Sequence, residues 1–398
     1  MTHVVVLGGT GHIGGYLVPR LVAAGHEVTV LTRGKAAPYR QDGAWSRVTT
    51  VVADRTEEEA AGTFGAQVRD LEPDVVIDLI CFTLDSARHL VEALAGRVRH
   101  FLHCGTIWIH GPSVEVPTTE EAPRRPFGEY GVRKAEIEAY LLDQAHRHGF
   151  PATLLHPGHI SGPGWVPINP AGNLDLDVYR KLAEGEEVAL PNLGMETLHH
   201  VHADDVAQSF TAAMAHRSVA VGESFHVVSP AALTLRGYAE RVAGWYGREA
   251  NLAFLPWDSW RRTVTPHAAD LTWDHIAHSP NSSIAKAERL LGYRPRYSSL
   301  DAVREALDWL AARHRVPVMG VTRRAVVWRC GGLDVPVDNT PSDEENSREV
   351  HDPPLRVPGR LRRHGGQGHP GGPRVDAGRG RRDGRVHGEV DERTGRVR

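Results

Sequence analysis

Cysteine is scarce: Cys81, Cys104 and Cys330 are the only three in 398 residues, too few and too scattered for a disulfide framework or a cysteine-based metal cluster. A reducing, cytoplasmic setting is the expectation. There is neither a basic-then-apolar leader nor an apolar run of about eighteen residues, so neither secretion nor a membrane partner is expected. The formal net charge is only -3, which gives no global field to recruit nucleic acid or a membrane surface. Lysine is also rare. Lys35, Lys134, Lys181 and Lys286 are the only four among 46 basic residues, so a lysine inside a motif carries more information than usual.

Against these absences stands one dense stretch at residues 4–15. Val4-Val5-Val6-Leu7 is an uninterrupted apolar run, as in a strand buried on both faces. It stops at Gly8, Gly11 and Gly14, spaced three apart, and Gly9, Gly11 and Gly14 also satisfy G-x-G-x-x-G. Such a turn lets the backbone approach a pyrophosphate and aims the N–H groups of the next helix at it. Residues 16–25 continue as an amphipathic helix with a glycine stop, and 26–31 as a second strand, which completes a βαβ unit.

The alternation then continues. Strands are predicted over 48–55, 73–81, 100–106 and 152–156, with helical segments over 57–71 and 85–95 and a helix carrying Tyr130 to Lys134. This pattern predicts an α/β fold, a doubly wound parallel (Rossmann) sheet with a smaller C-terminal substrate-binding lobe. We divide the chain into a dinucleotide-binding core over 1–165, a substrate lobe with returning core elements over 166–317, and a disordered Arg/Gly/Pro-rich tail over 318–398. Helices over 233–246 and 285–314 are expected to form a lid.

The second strand ends in Thr32-Arg33 with no acidic residue to accept from a ribose 2′-hydroxyl. Arg33 could pair with a 2′-phosphate, which favours NADP over NAD. Asp54 and Arg55, closing the third strand, are expected beside the adenine. Thr106 ends the fifth strand at the side of the sheet that faces the ligand crevice. Tyr130 and Lys134 are four apart, which places phenol and ammonium on one helical face. These three form a proton-handling set. A neighbouring ammonium and an oxidised nicotinamide favour phenolate, so Tyr130 can exchange a proton with a substrate alcohol while Thr106 holds its oxygen and Lys134 holds the nicotinamide ribose. His199, His200 and His202 have no carboxylate or cysteine to complete a metal set, and no metal is expected.

These segments, together with 156–163, 200–207 and Leu290-Leu291-Gly292-Tyr293-Arg294-Pro295, resemble the extended branch of the short-chain dehydrogenase/reductase superfamily, the NAD-dependent epimerase/dehydratase-like proteins. The resemblance runs over about residues 3–315. It implies Thr106, Tyr130 and Lys134 as catalytic residues. It implies Gly8, Thr10, Gly11, His12, Ile13, Gly14, Arg33, Asp54, Arg55, Leu79, Tyr130, Lys134 and Pro157 as cofactor contacts, and a homodimer through the Tyr130 helix. Two departures concern the substrate. Ile107-Trp108 replaces the Asp-Glu that dehydratases of this branch carry after the threonine, which removes the acid and base for water elimination. His156 and His159 replace the Arg and Asn of Arg-Pro-x-Asn, which disfavours nucleotide-diphosphate recognition. Thr106, Trp108, His159 and Trp165 are the candidate substrate contacts. The expected activity is hydride transfer with a small-molecule secondary alcohol or ketone, as oxidoreductase or epimerase, the substrate being a sugar or sugar nucleotide in one version. The alternative is a non-catalytic dinucleotide-binding protein that senses redox state or binds RNA, the segment after the fourth strand being similar to that of chloroplast stem-loop-binding proteins.

Overall fold

Val4 and Val6 face one side of a central sheet and Val5 and Leu7 the other, and all four are fully buried. This two-sided burial is why the first strand lacks polar alternation. The computed structural model of the protein describes residues 1–319 other than 36 and 39. The expected tail, apart from its first two residues, lies outside the described residues, as does Cys330.

The first half of the chain runs β1 (His3–Leu7), α1 (Gly14–Ala23), β2 (Glu27–Thr32), β3 (Thr49–Val52), α2 (Arg55–Ala60), α3 (Phe64–Asp70), β4 (Val75–Asp78), α4 (Leu84–Leu94), β5 (His100–Cys104), α5 (Gly128–His148) and β6 (Ala152–Pro157). The second half runs β7 (His159–Ser161), α6 (Asp177–Glu184), β8 (Val188–Pro191), β9 (Thr197–Leu198), β10 (His200–His202), α7 (Ala203–Ala215), α8 (Arg217–Ala220), β11 (Ser224–Val227), β12 (Leu233–Thr234), α9 (Leu235–Trp245), β13 (Leu252–Leu255), α10 (Trp257–Trp260), α11 (Pro266–Ile276), α12 (Ala285–Leu291) and α13 (Ser299–Ala311).

Seven strands form one parallel sheet in the order β11-β6-β5-β4-β1-β2-β3. The expected doubly wound fold is therefore present. Chain order reverses between β1 and β4, and a crevice opens at their carboxyl ends. One apolar cluster packs α1, α7 and α12 on one face, with Leu17, Leu21 and Phe210 fully buried. A second packs α3, α4 and α5 on the other through Val68, Leu90 and Leu141. Each such side chain contributes roughly 1.5–3 kcal/mol on burial. A third cluster gathers the later chain around Tyr179, Tyr238, Trp260 and Leu307, and Val316 and Met319 are buried in it.

The structure differs from the sequence reading at three places. The segment 57–71 is two helices, α2 and α3, separated at Gly62, which has a positive φ of 71°. The seventh strand, β11, was not predicted: four residues with His226 inside them give too short a period, yet all four are buried beside β6. Of the helices expected as a lid, α12 buries Ala287 and Leu291 against the sheet-side core with Phe225 and Phe210, so it belongs to the floor. Among the described residues no helix is long and apolar enough to cross a membrane.

Candidate active site

The crevice begins at the glycine turn. Gly8 N donates to Leu31 O (3.0 Å) and Gly11 N to Gly8 O (3.1 Å), which closes the chain tightly after β1. A Cβ on Gly14 would lie 2.0 Å from Gly9 O, so only glycine fits where α1 starts. No side chain caps α1 at Ile13, and no acidic residue occupies its first turn. Gly15 N donates to Gly11 O (2.9 Å) and Tyr16 N to Ile13 O (3.0 Å), so the glycine turn runs straight into the helix, whose positive N-terminal end fits the pyrophosphate of a dinucleotide. Thr10 Oγ1 lies 3.1 Å from Thr32 Oγ1 and ties the turn to the end of β2. Ile13 is buried in the core, and His12 is buried with its ring stacked on Trp165 at 4.8 Å. Burial, with His202 nearby, pushes the His12 imidazole down to about 3.

At the end of β2, Arg33 is exposed. Asp54 caps α2 by accepting from Thr56 N (3.2 Å) and lies 3.8 Å from Lys35 Nζ. Arg55 does not join it as expected. Its Nη1 donates to both Asp78 oxygens (2.8 and 3.0 Å) and its Nε to Glu59 (2.7 Å), and it is buried. Asp78 is fully buried at the end of β4, and a buried carboxylate requires a counter-charge. That requirement turns Arg55 inward to Asp78. Leu79 donates its N–H to Leu7 O (3.2 Å) at the crevice floor. Pro157 ends β6 and is buried.

Thr106, Tyr130 and Lys134 do converge. Thr106 is buried, caps a short 3-10 turn at Ile107–His110, and accepts from Trp108 N (3.3 Å) through Oγ1. Tyr130 sits in the first turn of α5 with its ring edge-on to Trp108, and the Thr106 side chain is the neighbour that acts on its hydroxyl. Tyr130 is 42% exposed as a whole residue, but desolvation around its hydroxyl raises the phenol above its ordinary value, with the Thr106 side chain acting against the shift. The direction is opposite to that expected from a neighbouring lysine, because desolvation of the hydroxyl dominates. Lys134 is buried and donates to Cys81 O (2.8 Å) and Cys104 O (2.7 Å). Two of its three N–H bonds are thus anchored to the floor. Its Nζ lies 5.9 Å from the Tyr130 ring centre.

Behind this set lies a relay that the sequence reading missed. His156 Nδ1 accepts from Thr106 N (3.0 Å), and its Nε2 lies 3.1 Å from Glu138 Oε1. Arg124 Nε and Nη2 donate to the two Glu138 oxygens at 2.9 and 2.8 Å. Because Nδ1 accepts, the network assigns the proton to Nε2, a neutral tautomer donating to Glu138. Burial alone would raise the Glu138 carboxyl, but Arg124 and His156 hold it well below the usual carboxylate range. A Cβ on Gly105 would lie 2.1 Å from His156 Nδ1, so the strand end must be glycine for the imidazole to reach Thr106. One signal was available: Glu138 follows Lys134 by four residues.

Trp108 lies against the open side. Its ring meets Tyr130 (5.7 Å), His159 (6.2 Å) and His275 (5.3 Å) edge-on and stacks on His278 (4.4 Å). His159 and His200 are partners across β7 and β10. Trp165 stacks on His12 and is 38% exposed. His199 and His202 serve the fold: His199 Nε2 lies 2.9 Å from Ser229 O, and His202 Nδ1 accepts from Asp204 N at the start of α7. Asp78, Cys81 and His103 offer donor atoms within 4.8 Å of one another. However, Arg55 already neutralises Asp78, and burial pushes the Cys81 thiol up to about 12. That trio therefore lacks the negative charge that draws a cation.

Comparison with known proteins gives the family and the fold. The model of the NAD dependent epimerase/dehydratase family matches residues 4–227. The chain is 27% identical over 326 residues to 2'-dehydrokanamycin reductase of Streptomyces kanamyceticus, covering 79% of this chain and 86% of that protein. It is 23% identical over 315 residues to the chloroplast stem-loop binding protein of 41 kDa b of Arabidopsis thaliana, covering 77% and 78%. A UDP-glucose 4-epimerase of Thermotoga maritima, solved with UDP-glucose, superposes with a TM-score of 0.60 at 19% identity, over 78% of this chain and 99% of that one. This last likeness concerns the fold.

Proposed function

Since the chain belongs to the NAD dependent epimerase/dehydratase family, we propose that it is an NADP(H)-using oxidoreductase that interconverts a ketone and a secondary alcohol. The observation that carries this reading is the convergence of Thr106 and Tyr130 on Trp108 at the end of β5, with Lys134 one helical turn along α5 from the phenol. The substrate oxygen binds between the Thr106 and Tyr130 hydroxyls. In the reducing direction Tyr130 donates its proton to that oxygen, and in the oxidising direction it accepts one. The raised phenol favours the donor role in the free protein. The remaining N–H of Lys134 faces a ribose hydroxyl, the α1 N-terminus takes the pyrophosphate, and Arg33 takes the 2′-phosphate. A bound nicotinamide supplies or receives the hydride. Arg33 also favours net reduction over epimerisation, since an exchangeable NADPH suits stoichiometric turnover. The reductase named among the relatives supports the same choice.

We assign the cofactor to residues 1–165 and the substrate to 166–317, and a dimer to pairing through α5. The relative named as a stem-loop binding protein favours a second reading, in which the dinucleotide site serves binding without chemistry. One experiment separates them. Mass spectrometry of ligands released from the native protein should find NADP(H), and Tyr130→Phe should lower ketone-dependent NADPH oxidation by about 100-fold or more. Unchanged turnover in that variant would remove the catalytic reading.

A further inference from the structure

Resting on that reading, we infer that the substrate is an uncharged, ring-bearing ketone or alcohol that carries no diphosphate, lodged beside Trp108 and hydrogen-bonded by His159. His159 is only 9% exposed, and neither of its ring nitrogens has a partner among the described residues. A buried polar group without a partner is destabilising, so a native fold that keeps one has a use for it. His200 Nδ1 and His278 Nε2 are also unpartnered. The three rings belong to one cluster: His159 lies 5.7 Å from His200 and 6.2 Å from Trp108, and His278 stacks on Trp108 at 4.4 Å. Trp108 in turn meets the Tyr130 ring. Unpaired imidazole nitrogens and an indole therefore adjoin the residue assigned to proton transfer.

The charge of this wall decides what it can hold. A diphosphate calls for guanidinium or ammonium groups. Here the rings that meet His159 are Trp108, His200 and His275, and the largest influences on it after burial itself are neighbouring imidazoles. Burial leaves these rings neutral at neutral pH. A dianion placed among them would lose its hydration without gaining a counter-charge. A neutral ring loses little. Its face packs on aromatic surface, and a hydroxyl or carbonyl meets an imidazole that can donate from one nitrogen and accept at the other.

The test uses the full chain saturated with NADPH. UDP-glucose is titrated calorimetrically at neutral and at mildly acidic pH, and the uncharged ketones cyclohexanone, acetophenone and 1-tetralone are assayed for NADPH oxidation. Expected are a UDP-glucose Kd weaker than about 1 mM at both pH values and saturable reduction of at least one ketone. His159→Phe should raise the ketone KM about ten-fold with NADPH affinity unchanged, and His159→Asn should restore most of it. UDP-glucose binding that tightens towards acid pH, as phosphate-bound imidazolium would produce, overturns the inference. So does failure of all three ketones. If UDP-glucose is converted in a Tyr130-dependent way, the substrate class falls while the hydride chemistry stands. If ketone reduction survives Tyr130→Phe, the hydride chemistry itself falls.

Discussion

His156 Nδ1 accepts the backbone N–H of Thr106 at 3.0 Å across 50 residues of chain. This bond fixes where the Thr106 hydroxyl stands relative to Tyr130. His156→Leu should leave a buried N–H unpaired and cost about 1–3 kcal/mol in denaturant unfolding, together with most of the turnover. His156→Asn presents an amide oxygen near the Nδ1 position and should keep the Thr106 bond and most activity while losing Glu138. Equal activity in the two variants would show that the acceptor does not matter.

Glu138→Ala should be costlier. It strips the partner from Arg124 and from the donor nitrogen of His156 inside the sheet-facing side of α5. Removal of one member of a buried charged network costs about 3–5 kcal/mol. The denaturation midpoint reports this, and a loss below about 1 kcal/mol would contradict a shared network.

Gly14→Ala tests the phosphate turn. The added methyl meets the Gly9 carbonyl, a backbone atom with no side-chain freedom to yield. We expect NADPH affinity to fall at least about ten-fold with a stability loss of about 1–3 kcal/mol. Fluorescence titration of the cofactor and a melting curve read the two effects separately.

Arg33→Ala should weaken NADPH about ten-fold or more and leave NADH unchanged, since only the former carries the 2′-phosphate. Parallel titrations of the two cofactors decide it. Equal losses would move the 2′-phosphate site elsewhere.

Acid should unfold this protein through its histidines. Burial holds His200 at about 3 and His199, His275 and His278 at about 4, against an ordinary value of 6.5. A histidine with a depressed folded pKa binds fewer protons folded than unfolded. Its contribution is fully present above the unfolded value and is lost as pH falls towards the folded one. Each ring removes up to about 1.4 kcal/mol per pH unit between about pH 6.5 and 4. Unfolding midpoints measured in steps through that window should decline steeply, and a flat profile would mean that these rings are already protonated in the fold.

The parts legible in the sequence were those set by local spacing. Gly8, Gly11 and Gly14 are recognisable because one turn defines them, and Tyr130 with Lys134 because helix period puts four-residue neighbours on one face. What escaped was set by long-range pairing. The inward turn of Arg55 depends on Asp78, 23 residues away, and the role of His156 on Thr106 and Glu138 together. The β11 strand is recognisable only through the register it shares with β6. The phenol's upward shift likewise follows from burial, which no spacing rule reports.

Lys134 has two masters. Its ammonium joins a carbonyl beyond β4 to the last carbonyl of β5, so it is a tie-beam of the crevice as well as a neighbour of the phenol. Taking it away releases two buried carbonyls and parts adjoining strands beneath Thr106. Arginine, with a broad planar fork in place of a compact ammonium, cannot substitute there. An inactive Lys134→Ala protein would consequently testify to collapsed architecture as much as to lost proton chemistry. In this chain the lysine is a poor witness to mechanism, and Tyr130 is the better one.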